Sequence, residues 1–176
     1  MVRAVLFDLD GTLVHYDFDA FLNEYFAALS TRLADMVEPR RLVAQIIRST
    51  DAMVKNLDPA KTNQQVFAED FFPQIGIPEG VLMPVFDDFY RRDFPLIKHR
   101  LGVRAHPAAR RMIETLLSRG LDVVIATNPV FPLIAIEERM RWGGLDGLPY
   151  RLVTSYETMH FCKPNRVRHV QNLVQL

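Results

Sequence analysis

Asp8 and Asp10 stand one residue apart in the stretch Val5-Leu6-Phe7-Asp8-Leu9-Asp10-Gly11-Thr12-Leu13. Ala4 to Phe7, just before them, reads as a short buried strand. In an extended backbone alternate side chains share a face, so the two carboxylates point together and Leu9 points away. Two like charges at the mouth of a buried strand repel each other and lose hydration unless a cation, a proton or donor groups compensate. A functional carboxylate pair is one reading of this spacing. Another is a tight hairpin, because Asp-Gly between apolar residues signals such a turn, with Thr12 to Tyr16 as the returning strand. A calcium loop fits poorly, since the glycine comes too early and no bidentate Glu follows. These residues alone leave turn and site open.

The elements that must hold the pair follow from periodicity. Phe18, Phe21, Leu22, Tyr25, Phe26, Leu29, Leu33 and Met36 form one apolar stripe of a long helix. Pro39 suits the first turn of a second helix, carrying Leu42, Val43, Ile46, Ile47 and Met53. A third covers 63–72, and a fourth runs from 78 to 90 with a kink near Pro84. Residues 15–96 therefore read as a helical unit whose stripes bury one another. From His106 the grammar changes. A helix from Pro107 ends at Gly120, and Leu121 to Thr127 is a nearly unbroken apolar strand of the kind buried in a parallel sheet. A helix through Leu133, Ile136 and Met140 and a strand at 151–155 complete an alternating pattern. The expected fold is α/β: a doubly wound, Rossmann-like parallel-sheet core, residues 1–14 and 97–176, with an inserted α-helical domain, residues 15–96.

Composition narrows the function. In 176 residues the charges cancel to +0, which argues against bulk electrostatic binding of nucleic acid or a membrane surface. A single cysteine, Cys162, excludes an internal disulfide and fits a reducing compartment. Asp8 interrupts the N-terminal apolar run too early for a secretion signal, and no apolar window of about eighteen residues exists to span a membrane. The expectation is a soluble cytoplasmic protein.

Ligands of doubly wound sheets bind beyond the carboxyl ends of the strands. Those ends carry Asp8-Leu9-Asp10-Gly11-Thr12, then Thr127-Asn128, then Thr154-Ser155, with Lys163-Pro164 a short loop later. Two carboxylates, a hydroxyl and an ammonium converge on one edge. Taken singly, Thr127-Asn128 reads as a helix cap and Lys163 as a surface lysine.

Here the sequence resembles the haloacid dehalogenase-like hydrolase superfamily, in its phosphatase branch. Asp8-Leu9-Asp10-Gly11-Thr12 matches the first motif, Ala126-Thr127-Asn128 the second and Lys163-Pro164 the third, and the helical block stands where that family inserts its cap. The resemblance covers essentially the whole chain, and implies a tight turn with catalytic aspartates. It implies a magnesium-dependent phosphomonoesterase acting on a small phosphorylated metabolite. Asp8 would be the nucleophile that becomes an aspartyl phosphate, and Asp10 the general acid and then base. Mg2+ would be held by an Asp8 carboxylate oxygen and the Asp10 main-chain carbonyl. Thr127 and nearby amides would hold the phosphoryl oxygens, with Asn128, Gly11 and Thr12 in the phosphate-binding set, and Lys163 would neutralise charge.

The resemblance has a gap. No acidic residue follows Glu157, so the family's fourth motif, an acidic pair that completes the magnesium site, is absent from residues 158–176. Val167, Val170, Leu173 and Val174 suit one amphipathic helix instead. A C-terminally incomplete core, weak magnesium binding, impaired activity and self-association through the uncovered edge of the first strand are the resulting expectations. Glu157 is the nearest candidate to replace the lost acid. Two other classes stay in view: a non-catalytic phosphate-binding or regulatory protein of the same fold, and a phospho-accepting signalling domain, against which the long insertion counts.

Overall fold

The computed structural model describes residues 2–163. Strand β1 (Ala4–Phe7) runs parallel to β4 (Asp122–Ile125), which runs parallel to β5 (Leu152–Val153), giving the sheet order β1-β4-β5. The register pairs Phe7 with Ile125 and Ile125 with Val153, so all three strands end at one level. Val123, Val124 and Ile125 are fully buried, as an unbroken apolar strand flanked on both faces must be. Among the described residues β4 is the one strand paired with β1, and Leu6 is 45% exposed. The expected C-terminal helix and the end of the chain lie outside the described residues.

The turn and the site coexist. Gly11 has φ of 76°, a left-handed value that favours glycine, and its N–H donates to the Val14 carbonyl while Val14 N–H donates to Leu9. The chain does not return along β1 as a simple hairpin. Strand β2 (Val14–His15) instead pairs antiparallel with β3 (Arg104–Ala105), making a two-stranded flap beside the main sheet.

Between β2 and β3 lie α1 (Phe18–Arg32), α2 (Pro39–Lys55), α3 (Asn63–Ile75), α4 (Glu79–Arg92) and a 3₁₀ helix over Phe94–Arg100. Local chemistry sets their ends. Asp17 caps α1 by accepting from Ala20 N–H at 2.8 Å. Glu38 accepts from Arg40 and Arg41 N–H while Pro39 opens α2. Thr62 and Gln65 form a capping box for α3, which ends at Gly76. The stripe on α1 is shorter than its periodicity suggests. Phe18, the first helical residue, and Met36, beyond the last turn, are both exposed. The 3₁₀ helix straddles residue 97, so helical structure continues to Arg100.

Helix α5 (Ala109–Ser118) then leads into β4, and α6 (Leu133–Trp142) joins β4 to β5. One apolar cluster joins the helical layer to the sheet layer: Phe21, Tyr25, Phe94, Phe131 and Trp142 are mutual neighbours within it. Burial of that interface holds the helices over the carboxyl ends of the strands.

Candidate active site

The residue after β1 is Asp8, and the residue two after β4 is Thr127, so the parallel register delivers both to the same edge. Leu9 turns inward and is fully buried, which leaves Asp8 and Asp10 facing a cavity of about 310 Å³. Gly11, Thr127, Asn128 and Lys163 line it too, with Tyr16, Phe18, Val130, Phe131 and Arg139. Thr12 is the exception. It is exposed on the turn and does not line the cavity, because the Leu9–Val14 turn projects it outward.

Lys163 Nζ lies 2.8 Å from Asp8 Oδ1, an ion pair whose side chains are 39% and 42% exposed. Lys163 N–H also donates to Asn128 Oδ1 at 3.0 Å. Asn128 thus positions the lysine and does not cap α6. That cap is Glu157, whose two carboxylate oxygens accept from Leu133 N–H at 2.9 and 3.1 Å. A carboxylate at a helix N-terminus is favoured by the exposed N–H groups there. Glu157 lines a different cavity from the aspartates.

Asp10 is held from three sides. Arg139 Nη1 donates to its Oδ2 at 2.6 Å, Thr127 Oγ1 approaches the same oxygen at 3.4 Å, and the Tyr16 hydroxyl donates to Oδ1 through a short hydrogen bond. Arg139 is 1% exposed, and its guanidinium sits 4.8 Å from the Phe131 ring centre and 5.7 Å from that of Phe21. Aromatic faces and one carboxylate replace water around the charge. Burial alone would lower the Arg139 pKa; the Asp10 charge and the Tyr16 oxygen outweigh it and raise the value. Burial pushes the Tyr16 phenol well above its ordinary value, with Asp10 adding and Arg139 opposing, so Tyr16 stays a donor. Neither residue's part is evident in the sequence: Arg139 lies in a charged run on α6, and neither it nor Tyr16 stands in a motif.

Hard oxygen donors for a cation are few. Among the described residues no group of three or more His, Cys, Asp or Glu is placed to hold a metal. Asp8 Oδ2 and the Asp10 main-chain carbonyl remain, since the backbone bonds of the turn use the Leu9 and Val14 carbonyls instead. This set matches a cation that keeps several waters and takes one or two protein oxygens, as magnesium does. Cys162 has no part in it: its thiol is buried, accepts from Asn63 Nδ2 at 3.3 Å, and is pushed by burial up to about 12.

Comparison with solved structures bears on the fold. CbbY from Rhodobacter sphaeroides, solved in complex with phosphate, superposes over 99% of this chain and 73% of its own, with a TM-score of 0.51 and 15% identity. The two proteins share an α/β fold with a parallel sheet. Further structural matches are a predicted phosphoglycolate phosphatase from Haemophilus somnus and an L-2-haloacid dehalogenase from Xanthobacter autotrophicus. The first is 16% identical with a TM-score of 0.47, covering 99% of this chain and 71% of its own. The second is 17% identical at 0.45, covering 100% and 66%. No protein-family model and no curated relative matches the sequence. At these identities the likeness concerns the fold alone, and no described helix is long and apolar enough to cross a membrane.

Proposed function

We propose that the protein is a phosphomonoester hydrolase working through an aspartyl-phosphate at Asp8. The observation that carries this is the Asp8–Lys163 pair at 2.8 Å, open to a cavity shared with Asp10 and Thr127. An oxygen of Asp8 attacks phosphorus in line with the ester oxygen, whose bond to phosphorus breaks. Asp10 must enter this step protonated, with one oxygen released from Arg139 or Tyr16 toward the substrate, and it gives that proton to the departing alkoxide. Water then attacks the aspartyl-phosphate and gives its proton to Asp10, freeing phosphate and restoring the Asp8 carboxylate. Lys163 balances the negative charge of Asp8 and the phosphoryl group, and Thr127 Oγ1 donates to a phosphoryl oxygen. Asp8 Oδ2 and the Asp10 carbonyl would hold Mg2+, which when bound supplies further positive charge to the phosphoryl oxygens. With so few protein donors among the described residues, weak magnesium affinity is expected.

Hydrolysis of a generic phosphomonoester with titrated magnesium tests the proposal. Asp8→Asn should abolish turnover, because an amide is a poor nucleophile; unchanged turnover in that variant rules the mechanism out.

One observation favours a second reading. Both Asp10 oxygens are engaged, by Arg139 and by Tyr16, which suits a pocket that binds phosphate without turning it over. Phosphate binding by calorimetry with no magnesium-dependent hydrolysis would select that reading.

A further inference from the structure

Beside the site lies a larger cavity of about 480 Å³ between α1, α2, α3 and α4. Phe18, Asn128, Val130 and Phe131 line both it and the aspartate cavity, so the two adjoin. Its walls are apolar, with Ile46, Phe67, Phe72 and Met83 among them. Thr50, Gln64 and Glu79 are polar members of the lining. Others are engaged: the Tyr25 and Tyr90 hydroxyls are 2.9 Å apart, and Asn128 Oδ1 takes the Lys163 N–H. Phe18 and Ile47, 48% and 53% exposed, form an apolar rim.

Such a chamber opposes sugar and polyol phosphates. Each hydroxyl carried into it unpaired weakens binding by about tenfold. An aliphatic or aromatic group gains there, by roughly fourfold for every methylene removed from water. We infer that the group esterified to phosphate is apolar: the substrate class is the monophosphate of a medium-chain or aromatic alcohol. The phosphate sits at Asp8 and the carbon chain passes Phe18 and Phe131 into the helical layer. This rests on the phosphatase reading for its chemistry, although the chamber itself does not depend on turnover.

Two measurements separate the claims. In the first, n-alkylphosphonates from butyl to decyl, which cannot be hydrolysed, are titrated calorimetrically into the full chain with magnesium. Affinity should rise roughly fourfold per added methylene until the chamber is filled. Ile47→Gln at the rim and Met83→Gln on the wall should flatten that rise, with thermal melting reporting that each variant is folded. In the second, kcat/KM is compared for octyl phosphate and glycerol phosphate, and octyl phosphate should lead by at least tenfold. A flat series, a slope unchanged in both variants, or preference for glycerol phosphate overturns the inference. A graded phosphonate series without hydrolysis of any ester upholds the apolar chamber and sinks the phosphatase reading. Brisk hydrolysis with a flat series does the reverse.

Discussion

Asp8 and Asp10 share a cavity but not an environment, and substitution should separate them. Asp8 and Lys163 are each well exposed, so Asp8→Asn removes a carboxylate that water can largely replace. Its expected cost in stability is under about 1 kcal/mol. Asp10 pairs with a guanidinium that is almost wholly buried. Asp10→Asn leaves that charge uncompensated, and the expected loss is about 3 kcal/mol. Arg139→Met should cost about as much, while Asp10→Asn combined with Arg139→Met should cost less than the sum of the two. Denaturant titration of the three variants measures the coupling, and strict additivity would show that the pair does not interact. A dead but unstable Asp10→Asn protein is therefore poor evidence for acid catalysis. Asp8→Asn is the cleaner probe.

The flap and α6 fit together at a single glycine. A Cβ on Gly143, which ends α6, would lie 2.5 Å from Val14 Cγ2 on β2. The Gly143 backbone is otherwise of an ordinary kind that alanine adopts, with φ of −87°. Gly143→Ala should thus destabilise by about 1–3 kcal/mol through overpacking alone. The consequence reaches the site, since β2 leads to Tyr16 and α6 carries Arg139. Thermal melting of Gly143→Ala beside Gly143→Ala/Val14→Ala checks the cause, because trimming Val14 should restore part of the loss. Equal melting temperatures for Gly143→Ala and the wild type would show that this contact is loose.

The whole molecule should be sensitive to alkali. Burial lifts the Cys162 thiol from an ordinary 9.0 to about 12 and the Tyr25 phenol from 10.0 to about 12, and it raises Tyr16 and Tyr90 as well. These groups stay neutral in the folded chain at a pH where the unfolded chain has already ionised them. The unfolded state then binds fewer protons, so stability falls as pH rises from about 9 toward about 12. Melting temperature followed across that range should decline steadily, and Cys162→Ala should flatten the first part of the decline. A level profile would mean that these side chains reach water in the native state.

Local pattern carried much of this structure. Helix caps at Asp17, Glu38 and Thr62, the Gly11 turn and the β4 strand depend on residues a few positions apart, and their chemistry is written in that short range. Asp8, Asp10, Thr127, Asn128 and Lys163 were legible for a related reason, since parallel strands with one register place their ends together. Thr12 lies outside the cavity because turn geometry, not motif spacing, decides where its side chain points. Arg139 lies 129 residues from Asp10, and no short-range pattern marks a cation among Glu137, Glu138 and Arg141 as the buried one. Its burial exists only because Phe21 on α1 and Phe131 before α6 close over it. The apolar chamber is of the same kind. Stripes on four helices announce that side chains will be buried, whereas the space left between them depends on how those helices pack.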